Sequence, residues 1–190
     1  MSKTVFLLTL VSTIILISSC QTSSNHKSSG ISFDEPKAPQ EDSPVQDWSL
    51  VEKGINVAWG SSNERYHKEY IPEINTSENL VCTAWKNERV YAQMVAWAKD
   101  SIKNISVQLE DLKSADAIIG SKAVQAFFVR NVLSDEFLGG CGKKTKNKET
   151  AHLVPDCLES VESYNMRANS TRGIWLNIDI PESAKEGKYT

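Results

Sequence analysis

Near its end the chain alternates between apolar and polar positions. Ile174, Leu176, Ile178 and Ile180 are separated by Trp175, Asn177 and Asp179. A period of two, rich in β-branched residues, is what a half-buried strand requires. Pro181 ends the run because proline has no N–H to give to a ladder. A polar turn then leads to Gly187-Lys188-Tyr189-Thr190, which reads as the opening of a return strand, with the last strand of the domain incomplete. The same period runs through Glu88 to Ala98, with Val90, Ala92, Met94 and Ala96 on one face and Tyr91, Gln93, Val95 and Trp97 on the other. It recurs at Ile105, Val107 and Leu109. Shorter candidates are Ile55–Trp59, Tyr66–Ile71 closed by Pro72, and Leu80–Trp85, after which Lys86-Asn87 turns the chain. Val124–Val132 matches both helical and strand spacing, and its aromatic and β-branched content favours a strand. Short strands broken by frequent turns predict an all-β fold, an immunoglobulin-like or jelly-roll-type β-sandwich.

The beginning of the chain follows a different pattern. Lys3 precedes an apolar run from Val5 to Ile17, which is too short to span a bilayer as a helix. Small residues Ser18 and Ser19 follow, in the layout of a secretory signal peptide. Leu16-Ile17-Ser18-Ser19-Cys20 resembles the lipobox of bacterial lipoproteins. That resemblance implies cleavage after residue 19 and a diacylglycerol on the Cys20 sulfur, hence a membrane partner. Gln21 does not resemble an inner-membrane retention signal, so the expected location is the outer membrane or cell surface, with a periplasm-facing position as the variant. Residues 20–46 are rich in serine and proline, and such a stretch buries too little surface to offset its ordering entropy. It reads as a disordered tether. Residues 47–190 are then one domain of ordinary size.

Charge narrows the partners. The formal net charge is −3, and removal of residues 1–19 takes away only Lys3. This balance gives no electrostatic reason to expect nucleic acid. Lys143, Lys144, Lys146 and Lys148 cluster without interleaved aromatic residues and read as a solvated loop.

The motifs of catalysis are sparse. Gly139-Gly140-Cys141-Gly142 lacks the lysine-serine ending of a phosphate loop. Asp135 and Glu136 are adjacent, so on a strand they would point to opposite faces. Cys141, His152 and Cys157 supply three donors without a paired short spacing, which is not the pattern of a zinc site, and no metal or cofactor is expected. Cys141 and Cys157 flank the lysine-rich loop and are candidates for a disulfide in an exported chain, while Cys82 reads as a small buried apolar residue. Of the five tryptophans, Trp59, Trp85, Trp97 and Trp175 are candidates to stack on a sugar ring if exposed, and core packing is the alternative for each.

Several stretches, in order, carry a family resemblance: Trp59-Gly60-Ser61; Trp85 to Val90 with Gln93; Val124 to Arg130; Gly140-Cys141-Gly142; Leu153-Val154-Pro155-Asp156; and Arg172 to Leu176 running into Pro181 and Gly187-Lys188-Tyr189. Over about residues 55–190 the chain resembles the N-terminal domain that precedes the catalytic domain of glycoside hydrolase family 123 in exported lipoproteins of Bacteroidota. The resemblance implies a β-sandwich in front of a (β/α)₈ barrel that hydrolyses terminal β-linked N-acetylgalactosamine with help from the sugar's own acetamido group, an exception to the two-carboxylate scheme. Such a barrel takes about 250 residues and has no room in this chain. The catalytic residues are therefore expected elsewhere, the partners are that missing C-terminal domain and a glycan, and this chain alone is expected to be inactive. A stand-alone carbohydrate-binding lipoprotein is the alternative.

Overall fold

The two longest alternating stretches lie side by side at the centre of the molecule. The structure, a computed structural model, describes residues 6–11, 30–36, 46–74, 79–134 and 151–190. Strand β1 is Phe6–Val11, β2 Asn56–Gly60, β3 Asn79–Cys82, β4 Arg89–Ala98, β5 Ile102–Ile105, β6 Leu112–Lys113, and β7 Ile118–Ile119. Then come β8 Val124–Ser134, β9 His152–Glu159, β10 Tyr164–Met166, β11 Ser170–Asp179 and β12 Gly187–Tyr189.

The main sheet has five antiparallel strands in the order β2-β4-β11-β8-β9. Strands β4 and β11 pair over their full length, from Ser170 opposite Ala98 to Asp179 opposite Arg89. Because side chains alternate across a strand, Ala92, Met94, Ala96, Ile174, Leu176 and Phe128 all reach one face. There they pack with Tyr164 and Met166 of β10 and with Ile102 and Ile105 of β5. Full burial of each large aliphatic side chain contributes about 1.5–3 kcal/mol. A second apolar cluster closes one end, where Ile178, Ile180 and Val124 meet Leu112, Ile119 and Tyr189. The second layer is thus built of small pieces: β5 with β10, β6 with β7, and β1 between β12 and β3. Strand β1 runs parallel to β12, with Phe6 opposite Gly187, and antiparallel to β3, with Leu8 opposite Cys82. The all-β sandwich expected from the alternation is the observed fold.

Three local readings differ from expectation. Tyr66–Ile71 is a loop. Its alternation comes from turn contacts: Tyr70 N–H donates to His67 O, and the Lys68 and Tyr70 carbonyls accept from the Thr171 backbone N–H and hydroxyl at 2.7 and 2.6 Å. Ile105, Val107 and Leu109 do face the core, but the ladder ends at Ile105. Strand β9 escapes the pattern because Pro155 interrupts it. Proline is tolerated there because β9 is an edge strand and pairs through a bulge opposite Arg130 and Asn131.

Within the stretch read as a disordered tether, residues 30–36 are held against the sandwich. Ile31 bridges Tyr164 in parallel, with Ile31 N–H donating to Ser163 O at 3.0 Å and Asn165 N–H donating to Ile31 O at 2.8 Å. The contacts that hold this segment lie in the second layer, far along the sequence, which is why its composition did not disclose them.

Candidate functional site

The side chains that alternate with the core set project from the other face of the main sheet. On β4 these are Tyr91, Gln93, Val95 and Trp97, on β11 Thr171, Trp175 and Asn177, and on β8 Gln125 and Phe127. Register fixes their neighbours: Trp175 lies between Gln93 and Phe127, and Asn177 lies between Tyr91 and Gln125. The loop 61–74 covers one end of this face through its two bonds to Thr171. At the near edge Gly60 makes room for Tyr66, whose ring sits where a Cβ would fall, 2.7–2.8 Å from it. The Tyr66 hydroxyl accepts from Ser61 N–H at 2.8 Å and donates to Glu64 at 3.0 Å.

The other end is open. Tyr91 is 52% exposed, and its ring stands 5.7 Å from that of the half-buried Trp175, tilted by 39°. Trp175 Nε1–H donates to Asn177 Oδ1 at 3.0 Å, which fixes the indole on the sheet. Beyond them Arg89 binds Asp179 through two bonds of 2.5 and 2.8 Å. Those hydrogen bonds, together with the guanidinium charge, hold the Asp179 carboxyl below its usual range. The open end therefore offers two aromatic faces and neutral amides, with its charges already paired. Such a surface can stack on the C–H face of a sugar ring while amides bond its hydroxyls. It can equally pack against another domain.

The predicted tryptophans divide. Trp175 lies on the open face. Trp97 points the same way, but at the row of Thr171 and Asn56, under the covered end. Trp85 is 47% exposed in the turn before β4, where its backbone N–H donates to Glu88 at 2.6 Å. Trp59 is not a stacking residue: it sits opposite Met94 with its ring in the core, 8% exposed, because its parity on β2 points it inward. Tyr91, missed as a candidate, was visible in the alternation as a partner of Gln93 on the outward face. Cys20 and Cys141 lie outside the described residues. Cys157 is a free thiol on β9, 3.6 Å from Arg130 Nη2. Cys82, read as buried, is also free and only half-buried, and burial followed by the nearby Glu88 pushes its thiol up. Among the described residues no group of three His, Cys, Asp or Glu side chains is placed to hold a metal.

A second polar cluster, unforeseen, lies on the inner side. Arg172 shares the inward parity of Ile174 and is 4% exposed. Its Nη1 is 2.6 Å from Glu35 Oε1 and 2.6 Å from Val129 O; its Nη2 is 3.1 Å from Glu35 Oε2 and 2.7 Å from the Tyr164 hydroxyl. Glu35 also accepts from Asn131 N–H at 2.7 Å and Asn131 Nδ2 at 2.9 Å. Phe33 and Tyr164 flank the guanidinium, their centroids 5.5 and 4.8 Å from its carbon. Burial alone would raise the Glu35 carboxyl. The bonds and charge of Arg172, with the two Asn131 donors, outweigh it and leave the group below its usual range.

The described residues form a two-layer β-sandwich whose main sheet carries an aromatic outer face. Residues 59–190 match the family model of the glycoside hydrolase 123 N-terminal domain. The chain belongs to that family. Among solved structures, the fold is similar to that of a family 123 glycoside hydrolase from Clostridium perfringens, described for the details of glycolipid glycan hydrolysis. The TM-score is 0.58 at 21% identity, covering 71% of this chain and 23% of that chain. The present chain thus spans less than a quarter of the length of that enzyme chain. No curated protein sequence matches it.

Proposed function

We propose that this is the non-catalytic N-terminal domain of an exported, lipid-anchored glycoside hydrolase acting on β-linked N-acetylgalactosamine glycans. In this reading hydrolysis takes place in a downstream (β/α)₈ barrel, Cys20 carries the lipid on the outer membrane or cell surface, and cleavage after residue 19 removes β1 from its place between β12 and β3. The observation that carries the reading is the family match over 59–190 in a chain that spans so small a share of its structural neighbour. The pairing of its carboxylates supports a supporting role. Glu35 is tied to Arg172, Asp179 to Arg89, Glu159 to Arg130 and Asp156 to Arg65. At Glu35 and Asp179 the facing arginine stabilises the anion, the opposite of what a general acid needs. Residues 20–190 should therefore release no chromophore from an aryl β-N-acetylgalactosaminide, whereas the chain continued through the downstream reading frame should. Turnover by residues 20–190 alone, or a stop codon directly after Thr190 in the gene, overturns this reading.

A second reading is favoured by Tyr91 and Trp175: a stand-alone surface module that binds glycan. It predicts calorimetric binding of N-acetylgalactosamine-bearing oligosaccharides by residues 20–190. Base–aromatic stacking elsewhere contributes about 1–3 kcal/mol per ring, so a comparable stacking loss in Trp175→Ala should weaken binding at least about fivefold. Absence of heat with the intact domain rules this reading out.

A further inference from the structure

The segment ahead of the sandwich is bound in the manner of a ligand. Its receptor is made by four strands that belong to the domain: Asn104 of β5, Asn131 of β8, Tyr164 of β10 and Arg172 of β11. Gly30 N–H donates to Asn104 Oδ1 at 2.8 Å, and the Gly30 carbonyl accepts from Asn165 Nδ2. A Cβ at Gly30 would come within 2.5 Å of Asn165 Oδ1 and 2.8 Å of Asn104 Oδ1, so any larger residue there has to displace the two asparagine amides. Ile31 makes the backbone rung with Ser163 and Asn165, while its side chain stays 51% exposed. Phe33 lies on Tyr164 at 4.8 Å between centroids, and Glu35 fills the Arg172 pocket with only 8% of its side chain exposed. Main-chain bonds at one end and pockets for alternate side chains beyond are how sheets recognise added strands.

We propose that the trough formed by Tyr164, Arg172 and Asn131 is a recognition site for an extended peptide of pattern Gly-x-x-Phe-x-Glu. Residues 30–35 of this chain occupy it in cis as a clasp. The site recognises the segment through its own chemistry, so covalent linkage through residues 37–45 supplies effective concentration and no part of the specificity.

The test uses residues 20–190 with a protease site inserted between residues 38 and 44. After cutting, the N-terminal piece should co-elute with the domain at micromolar concentration, and the melting temperature should become concentration-dependent. In the Phe33→Ala/Glu35→Ala double variant of the uncut chain, a synthetic peptide of residues 30–36 should raise the melting temperature with dose. The same peptide with glutamine in place of glutamate should bind at least about thirtyfold more weakly, the loss expected when one partner of a buried charge pair is removed. Should the double variant fail to fold, the cut chain decides. Rescue of the variant by the peptide also supports the proposal. Separation of the cut piece with an unchanged melting temperature overturns it, and so does unfolding on cutting that added peptide does not reverse.

Discussion

Glu35→Ala is expected to destabilise the domain by about 3–5 kcal/mol, the cost of leaving one partner of a buried ion pair alone. For a domain of this size that lowers the melting temperature by roughly 10 °C. The magnitude follows from what the substitution strands. Arg172 is 4% exposed and would be left between Phe33 and Tyr164 without its counter-charge, and Asn131 would lose the acceptor for both of its donors. A surface ion pair such as Arg65–Asp156, with both side chains about half exposed, contributes far less. Urea denaturation of Glu35→Ala, Arg172→Met and the double variant measures the coupling. The double variant should lose much less stability than the sum of the two single losses. A Glu35→Ala loss under about 1 kcal/mol contradicts the packing described. The pH dependence has a fixed sign. The folded Glu35 carboxyl lies below its unfolded value, so its contribution is complete above the unfolded pKa of about 4.3 and is lost as pH falls through the folded value. Wild type should therefore show a steeper acid-side loss of stability than Glu35→Ala.

Tyr189→Ala is the second large effect, again about 3–5 kcal/mol, by analogy with the removal of other buried aromatic rings. Tyr189 is 0% exposed and wedged among Leu112, Ile119, Ile178, Ile180 and Ala184. The adjoining Thr190 exchanges two backbone bonds with Lys113, at 2.8 and 2.9 Å, so the ring cannot be replaced by sliding the chain. Tyr189→Phe separates the ring from its hydroxyl, which donates to Lys185 O at 3.0 Å; that loss should be about 1 kcal/mol. Equal losses in the two variants would mean that the hydroxyl and not the ring dominates.

The central strands were legible because each is buried on a constant parity. Ile174, Leu176 and Ile178 need the same face as Ala92, Met94 and Ala96, and a one-residue slip in register would break that match. Tyr66–Ile71 misled because apolar residues in a loop that lies on a sheet alternate for reasons of local turns. The open face was half legible: Tyr91, Gln93 and Trp97 were assigned to one side, but which part the loop 61–74 covers depends on hydrogen bonds to Thr171, about a hundred residues away in sequence. The Glu35–Arg172 pair lay deeper still, since its partners are 137 positions apart. Two signals pointed to it. Arg172 occupies the inward parity of an otherwise apolar strand, so it required a counter-charge. Ile31, Phe33 and Glu35 alternate within a polar segment, the mark of a strand that has something to lie on.

The docking of Gly30 to Glu35 also sets a height. For a chain held in a membrane at Cys20, free travel would end at Gly30, about ten residues away, and not near Trp48. Ten extended residues reach at most about 35 Å, against about 90 Å for the whole stretch to Trp48. The domain would then ride within roughly its own width of the lipid surface. The tether would then meet the domain at the end that carries Asn104 and Asn165, the partners of Gly30.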